Sequence, residues 1–131
     1  MNNTISLMGV LAVGAGAAIG AWARWGLGIV LNALLTNLPL GTLIAKLSGG
    51  FLIGITIGLV GTGTFEHPNL RLLITTGFLG GLTTFSAFTG ESLLLLQKQE
   101  YAWAVVHTSS HVLGALFMAA VGYSMLQYLR G

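Results

Sequence analysis

Charge is missing from long stretches of this chain, and that constrains the fold more than any motif does. No Asp, Glu, Lys or Arg occurs in residues 1–23, 25–45, 47–65, 72–90 or 101–129. A helix crossing the hydrocarbon core of a bilayer needs ~20 mostly apolar residues at ~1.5 Å rise each. The 131 residues therefore hold four crossings, predicted over about 5–31, 40–60, 70–97 and 101–128. Charged residues make up 6% of the chain and hydrophobic ones 54%, where a soluble domain carries roughly 25% charged residues. The eight charged side chains are too few to cover a small soluble protein. That excludes a soluble enzyme and a disordered tail. The five basic residues stand singly and form no run against a phosphate backbone, which excludes a nucleic-acid partner. The chain reads as one all-α integral membrane domain over residues 1–131, with lipid as its surroundings.

The connections carry the expected breakers. Asn32 to Pro39 separates the first two spans, Gly61 to Asn69 (with Glu66, His67 and Pro68) the next two, and Gln97-Lys98-Gln99-Glu100 the last two. Trp22, Trp25, Tyr101, Trp103, Tyr123 and Tyr128 fall near span ends, as interfacial aromatic belts do. Gly16 and Gly20, then Gly50, Gly54 and Gly58, then Gly77 and Gly81 each recur every four residues, the spacing of close helix packing. The absence of cysteine excludes disulfides and thiolate metal sites. Met1-Asn2-Asn3-Thr4 has no positive n-region and the apolar stretch runs past Ala15-Gly16-Ala17, so the N-terminus is expected to be a retained helix. Basic residues do not orient the chain. Arg71 and Arg130 fall on the N-terminal side, Lys98 and Arg24 nearer the other. Two arrangements fit this balance: two inverted copies paired about an in-plane axis, resembling inverted repeats made from separate chains, or one orientation set by other means.

Ionisable groups inside a span cost ~2.5–3.5 kcal/mol each at a helix centre, so each calls for a reason. Arg24, between two tryptophans, either snorkels to the headgroups or lines an aqueous vestibule. Lys46 lies one to two turns into the second span, and Glu91 inside the third needs a hydroxyl or cationic partner, or a proton. The run Thr75-Thr76-Gly77-Phe78-Leu79-Gly80-Gly81-Leu82-Thr83-Thr84-Phe85-Ser86-Ala87-Phe88-Thr89 is a poor continuous helix. An unwound turn at its glycine and hydroxyl pairs frees carbonyls, tolerated at membrane depth only when buried or facing a wet cavity and suited to a hard cation. Phe85 and Phe88 share a helix face, with Ser86 and Thr89 as a neighbouring hydroxyl stripe. Ring edges are electropositive, so they solvate a small anion beside hydroxyl donors; the competing reading is plain packing. His107 and His111 share a face of the fourth span and either ligate a metal or hydrogen-bond within the bundle. The chain holds no nucleophile–base pair or cofactor motif, so it is not read as an enzyme.

Three stretches resemble the Fluc/CrcB family of bacterial fluoride channels: Gly20-Ala21-Trp22-Ala23-Arg24-Trp25, Asn37-Leu38-Pro39-Leu40-Gly41-Thr42-Leu43, and Thr76 through Phe88 followed by Glu91. The similarity covers nearly the whole chain. It implies an antiparallel, dual-topology homodimer in the bacterial inner membrane that passively exports fluoride. It also implies that the third helix is broken near its middle. A structural sodium ion would sit at the dimer centre on the backbone carbonyls of Gly80 and Thr83. Phe85 and Phe88 would line each pore, Arg24 would stand at the vestibule, and Ser86, Thr89 and Glu91 would form a polar track. The family pattern places an asparagine at position 46, whose amide faces the anion; here it is Lys46, with three donors and a full charge. Altered conduction is the expectation, because a conducting site must release what it binds. Ala87 stands where the family usually has a threonine. The rival reading is a small four-helix multidrug or cation exporter of dual topology; such proteins need a carboxylate early in the first helix, where this chain has none.

Overall fold

The computed structural model describes residues 5–35, 38–61, 63 and 67–130. Asn37 of the second family stretch and Glu66 of the second connection lie outside them. Helix α1 is Leu7–Leu31, begun by Ser6, whose hydroxyl accepts the Gly9 N–H at 3.0 Å. A single 3₁₀ turn, Asn32–Leu34, follows it. The Asn32 Oδ1 then accepts the Gly41 N–H at 2.7 Å, tying the end of α1 to the start of α2, Leu40–Gly61. Helix α3 covers residues 68–82, opened by the His67 ring accepting the Leu70 N–H at 3.3 Å and by Pro68, a residue suited to a first helical turn. Helix α4 is Phe85–Gln97 and α5 is Tyr101–Arg130. Four segments are long and apolar enough to cross a membrane, α3 and α4 together making the third, Pro68–Gln97. This is the all-α, four-span architecture expected.

The third span breaks where Thr83 (φ −114°, ψ 118°) and Thr84 (φ −125°, ψ 137°) are extended. The glycine pair was expected to share in the unwinding, and it does not: Gly80 keeps φ −64° and ψ −38°, and 80–82 is helical. The hydroxyls explain the shift. Thr83 Oγ1 donates to Leu79 O at 2.8 Å, and Thr84 Oγ1 accepts the Ala87 N–H at 3.4 Å. After the step the Thr84 oxygen thus replaces a backbone partner, while before it Leu79 O keeps the Thr83 N–H at 3.0 Å and gains the hydroxyl as a second donor. Upstream, Leu73–Leu79 widens into a π-helix, a form frequent near functional sites that the residue pattern does not announce.

Close backbone approach assembles the bundle, at two interfaces. A methyl group built on Gly16 or Gly20 of α1 would collide with the carbonyl oxygens of Leu73 or Phe78, and one on Gly81 with that of Ala17. On the other side, α2 lies against α5, where a methyl on Gly50 would meet Ala115 O at 2.5 Å and one on Gly54 would collide with Ala119 O. Between these pairs sits a small apolar core of Ala45, Leu79 and Leu82, flanked by Ala23, Leu27, Ile53 and Phe78. The two largest fully buried side chains are polar, His107 and His111.

The α4–α5 turn closes tightly. Gln99 N–H reaches Leu96 O at 3.0 Å and Glu100 N–H reaches Leu95 O at 2.9 Å, with Gln99 at φ 59°. This two-bond helix ending normally places glycine at the left-handed position. Gln99→Gly is therefore expected to stabilise the protein by about 1 kcal/mol, read as a higher midpoint of thermal unfolding in detergent. Gly54→Ala is expected to destabilise it by about 1–3 kcal/mol through overpacking on α5, read by the same measurement.

Candidate functional site: two cavities flanking the broken span

Two cavities of about 540 Å³ each border the start of α4. The first is lined by Lys46, Gly49, Thr75, Gly80, Thr83, Phe85, Phe88 and His111, among others. The second is lined by Arg24, Trp25, Asn32, Thr42, Ser86, Ala87, Gly90 and Glu91, among others. Thr42 and Lys46 are four apart on α2, so one helical face feeds both spaces. The site is thus built by all five helices around the place where the third span comes apart.

Arg24 and Lys46 both turn to that break. Arg24 Nε donates to Gly81 O at 3.2 Å, and Lys46 Nζ approaches Thr84 O at 3.5 Å. Arg24, a cation at the carbonyl end of α3, opposes that helix's dipole favourably. Arg24 thus borders the second cavity while anchored to backbone. Lys46 also lies 4.9 Å from the centroid of the Phe88 ring, an attraction of about 0.5–2 kcal/mol depending on desolvation.

The phenylalanines stand 5.6 Å apart, their planes inclined by 45°. Phe88 is buried, whereas Phe85 is 73% exposed in the isolated chain. The hydroxyl stripe expected of Ser86 and Thr89 is not a shared one. Ser86 opens to the second cavity, while Thr89 Oγ1 donates back to Phe85 O at 2.8 Å and borders neither space. The reason is local: a threonine inside a helix readily bonds the carbonyl one turn back.

Glu91 finds the partners that its burial demands. Its Oε2 accepts the Thr42 hydroxyl at 2.7 Å, and its Oε1 lies 3.1 Å from His107 Nε2. His107 Nδ1 lies 3.0 Å from Ser92 Oγ. The His107 ring also stacks on Phe88, with centroids 5.1 Å apart and planes 7° from parallel. His111 packs against both rings, 4.3 Å from His107 and 5.2 Å from Phe88. Sequence spacing paired the two histidines; the fold adds a carboxylate from α4. Thr42 and Ser92 carried no signal of their own.

The extended Thr83–Thr84 step also removes two carbonyls from the helical ladder. The residue four beyond Gly80 is Thr84, which is extended, and the residue four beyond Thr83 is Ala87, whose N–H goes to the Thr84 hydroxyl. Leu79 O and Gly81 O, by contrast, accept from Thr83 and Arg24. Oxygen donors of this kind suit a hard cation such as sodium.

The family model described as CrcB-like protein, Camphor Resistance (CrcB), matches residues 11–123. A protein of Aromatoleum aromaticum named fluoride-specific ion channel FluC is 49% identical over 126 residues, 96% of each chain. One of the same name from Cupriavidus pinatubonensis is 53% identical over 115 residues, 88% of this chain and 91% of its own. Another, from Nitrosospira multiformis, is 48% identical over 125 residues, 95% and 98% respectively. Matched across so much of both lengths, and with four apolar spans, the chain belongs to the CrcB-like family of multi-pass membrane proteins.

Proposed function

We propose that this chain is the subunit of a passive, fluoride-selective channel. The observation that carries the reading is the phenylalanine pair at the cavity beside the helix break, in a chain whose relatives are named fluoride-specific ion channels. Stripping water from a small anion needs donors that do not grip it. The electropositive edges of Phe85 and Phe88 serve that purpose, and the ammonium of Lys46, held toward the Phe88 ring, leaves an edge free. Ser86, Arg24 and the Thr42–Glu91 pair provide polar surface on the second cavity. The rival exporter reading is not favoured, since α1 carries no carboxylate and the relatives are named as channels.

The working unit in this proposal is a homodimer of inverted copies. Two features support it: the near-balance of basic residues across the spans, and the exposure of Phe85, which in one chain has a wall on one side only. A sodium ion on the Gly80 and Thr83 carbonyls of both copies belongs to the same reading; the ion supplies the charge that lets two sets of carbonyl dipoles meet in the middle of a bilayer.

Lys46 sets the rate. A fixed ammonium on the conduction path retains an anion, and each ~1.4 kcal/mol of retention slows release about tenfold. Lys46→Asn is expected to raise fluoride efflux from proteoliposomes roughly tenfold, followed with a fluoride electrode; equal rates would remove the lysine from the path. Phe85→Ile and Phe88→Ile are each expected to reduce the same efflux by about tenfold or more while the protein still elutes as the assembled species. Unchanged efflux in both would contradict the role given to the rings.

A further inference from the structure

One group near the site has no partner in the network described. Both ring nitrogens of His111 are buried without a hydrogen bond, in a side chain that is 1% exposed. Leaving a buried polar group unsatisfied costs about 1–3 kcal/mol, and a ligand removes that cost. We propose that Glu91, His107 and His111 form a binding site for a divalent transition-metal cation, with zinc as the best chemical fit. The proposal stands apart from fluoride conduction and does not depend on it.

The three residues each offer a ligand atom, and these atoms all lie within 4.8 Å of one another. Two imidazoles and one carboxylate are a zinc donor set that leaves a fourth position open. On a tetrahedral ion with ~2.0–2.1 Å bonds, ligand atoms stand roughly 3.3 Å apart. Glu91 Oε1 and His107 Nε2 are already 3.1 Å apart. His111 is held by no hydrogen bond, so turning its ring toward the pair breaks none.

The outer partners match as well. Metal-bound imidazoles and carboxylates are normally oriented through their second atom. Here Ser92 Oγ sits on His107 Nδ1 at 3.0 Å, so a proton on Nδ1 leaves the Nε2 lone pair for the metal. Thr42 Oγ1 holds Glu91 Oε2 at 2.7 Å, leaving Oε1 for the same point. An entry path exists, because His111 also lines the cavity shared with Lys46 and Phe85. The Lys46 charge opposes a cation there, and the Glu91 carboxylate offsets it. Carboxylate plus imidazole, with no thiolate, favours zinc, cobalt or nickel over copper(I).

The test is cobalt(II) binding to the assembled protein in detergent, read by the visible absorption of four-coordinate cobalt and by zinc competition. The expected result is about one cobalt per chain, displaced by zinc. The band is expected to vanish in His111→Asn and to persist in His67→Ala, which removes the only other histidine of the chain. Ser92→Ala keeps all three ligands and is expected to weaken binding about 10–100-fold, so the result does not hinge on variants that alter a ligand and its packing together. Absence of the band, its persistence in His111→Asn, or its loss in His67→Ala would overturn the proposal.

Discussion

A break in a membrane helix must be satisfied from within the protein, because hydrocarbon offers no hydrogen bonds, and most of this fold answers that one demand. The extended Thr83–Thr84 step strands backbone groups at mid-span. Each neighbouring element sends something to it. α1 sends Arg24 to Gly81 O, α2 sends Lys46 to Thr84 O, and the two threonines bond their own helices. The cations that look anomalous in apolar spans thus have a structural task before any functional one. Their cost inside a bilayer is offset by carbonyls that would otherwise have no partner.

The close packing serves the same end. Backbone-to-backbone contact of α1 with α3, and of α2 with α5, leaves no room for a single added methyl at Gly20 or Gly54. That proximity brings Arg24 and Lys46 within reach of the break. Without a hydrophobic drive between helices in lipid, such contact is what van der Waals association can use. The polar interior of Glu91, His107 and His111 then occupies the space that a soluble bundle would fill with leucine.

The sequence made the spans legible because charge-free length is a one-dimensional property: four runs bounded by breakers map directly onto four crossings. Glycine spacing of four residues was equally readable, since a repeat on one helix face needs no knowledge of the partner. The break was legible to within a turn, but its placement on Thr83–Thr84 rather than the glycine pair depended on where hydroxyls found acceptors. The π-helix at Leu73–Leu79 left no trace in the pattern. The Glu91–His107 pair was hidden for a different reason, since its members sit on successive helices and only packing decides that they meet. Phe85 and Phe88 were placed on one face correctly, whereas the direction of the Thr89 hydroxyl was a local competition that spacing does not resolve.

The tight turn at Gln99 has a bearing on how the chain is made. Glu91 leaves the ribosome before the histidine that it meets, and a carboxylate entering the bilayer by itself carries a penalty of several kcal/mol. His107 follows 16 residues later, just beyond a reversal that is fixed by local bonds alone. The last two helices are therefore suited to enter the translocon exit as a preformed pair, acid and base already joined. A reversal held by its own backbone bonds thus bears on biogenesis as well as on the finished fold.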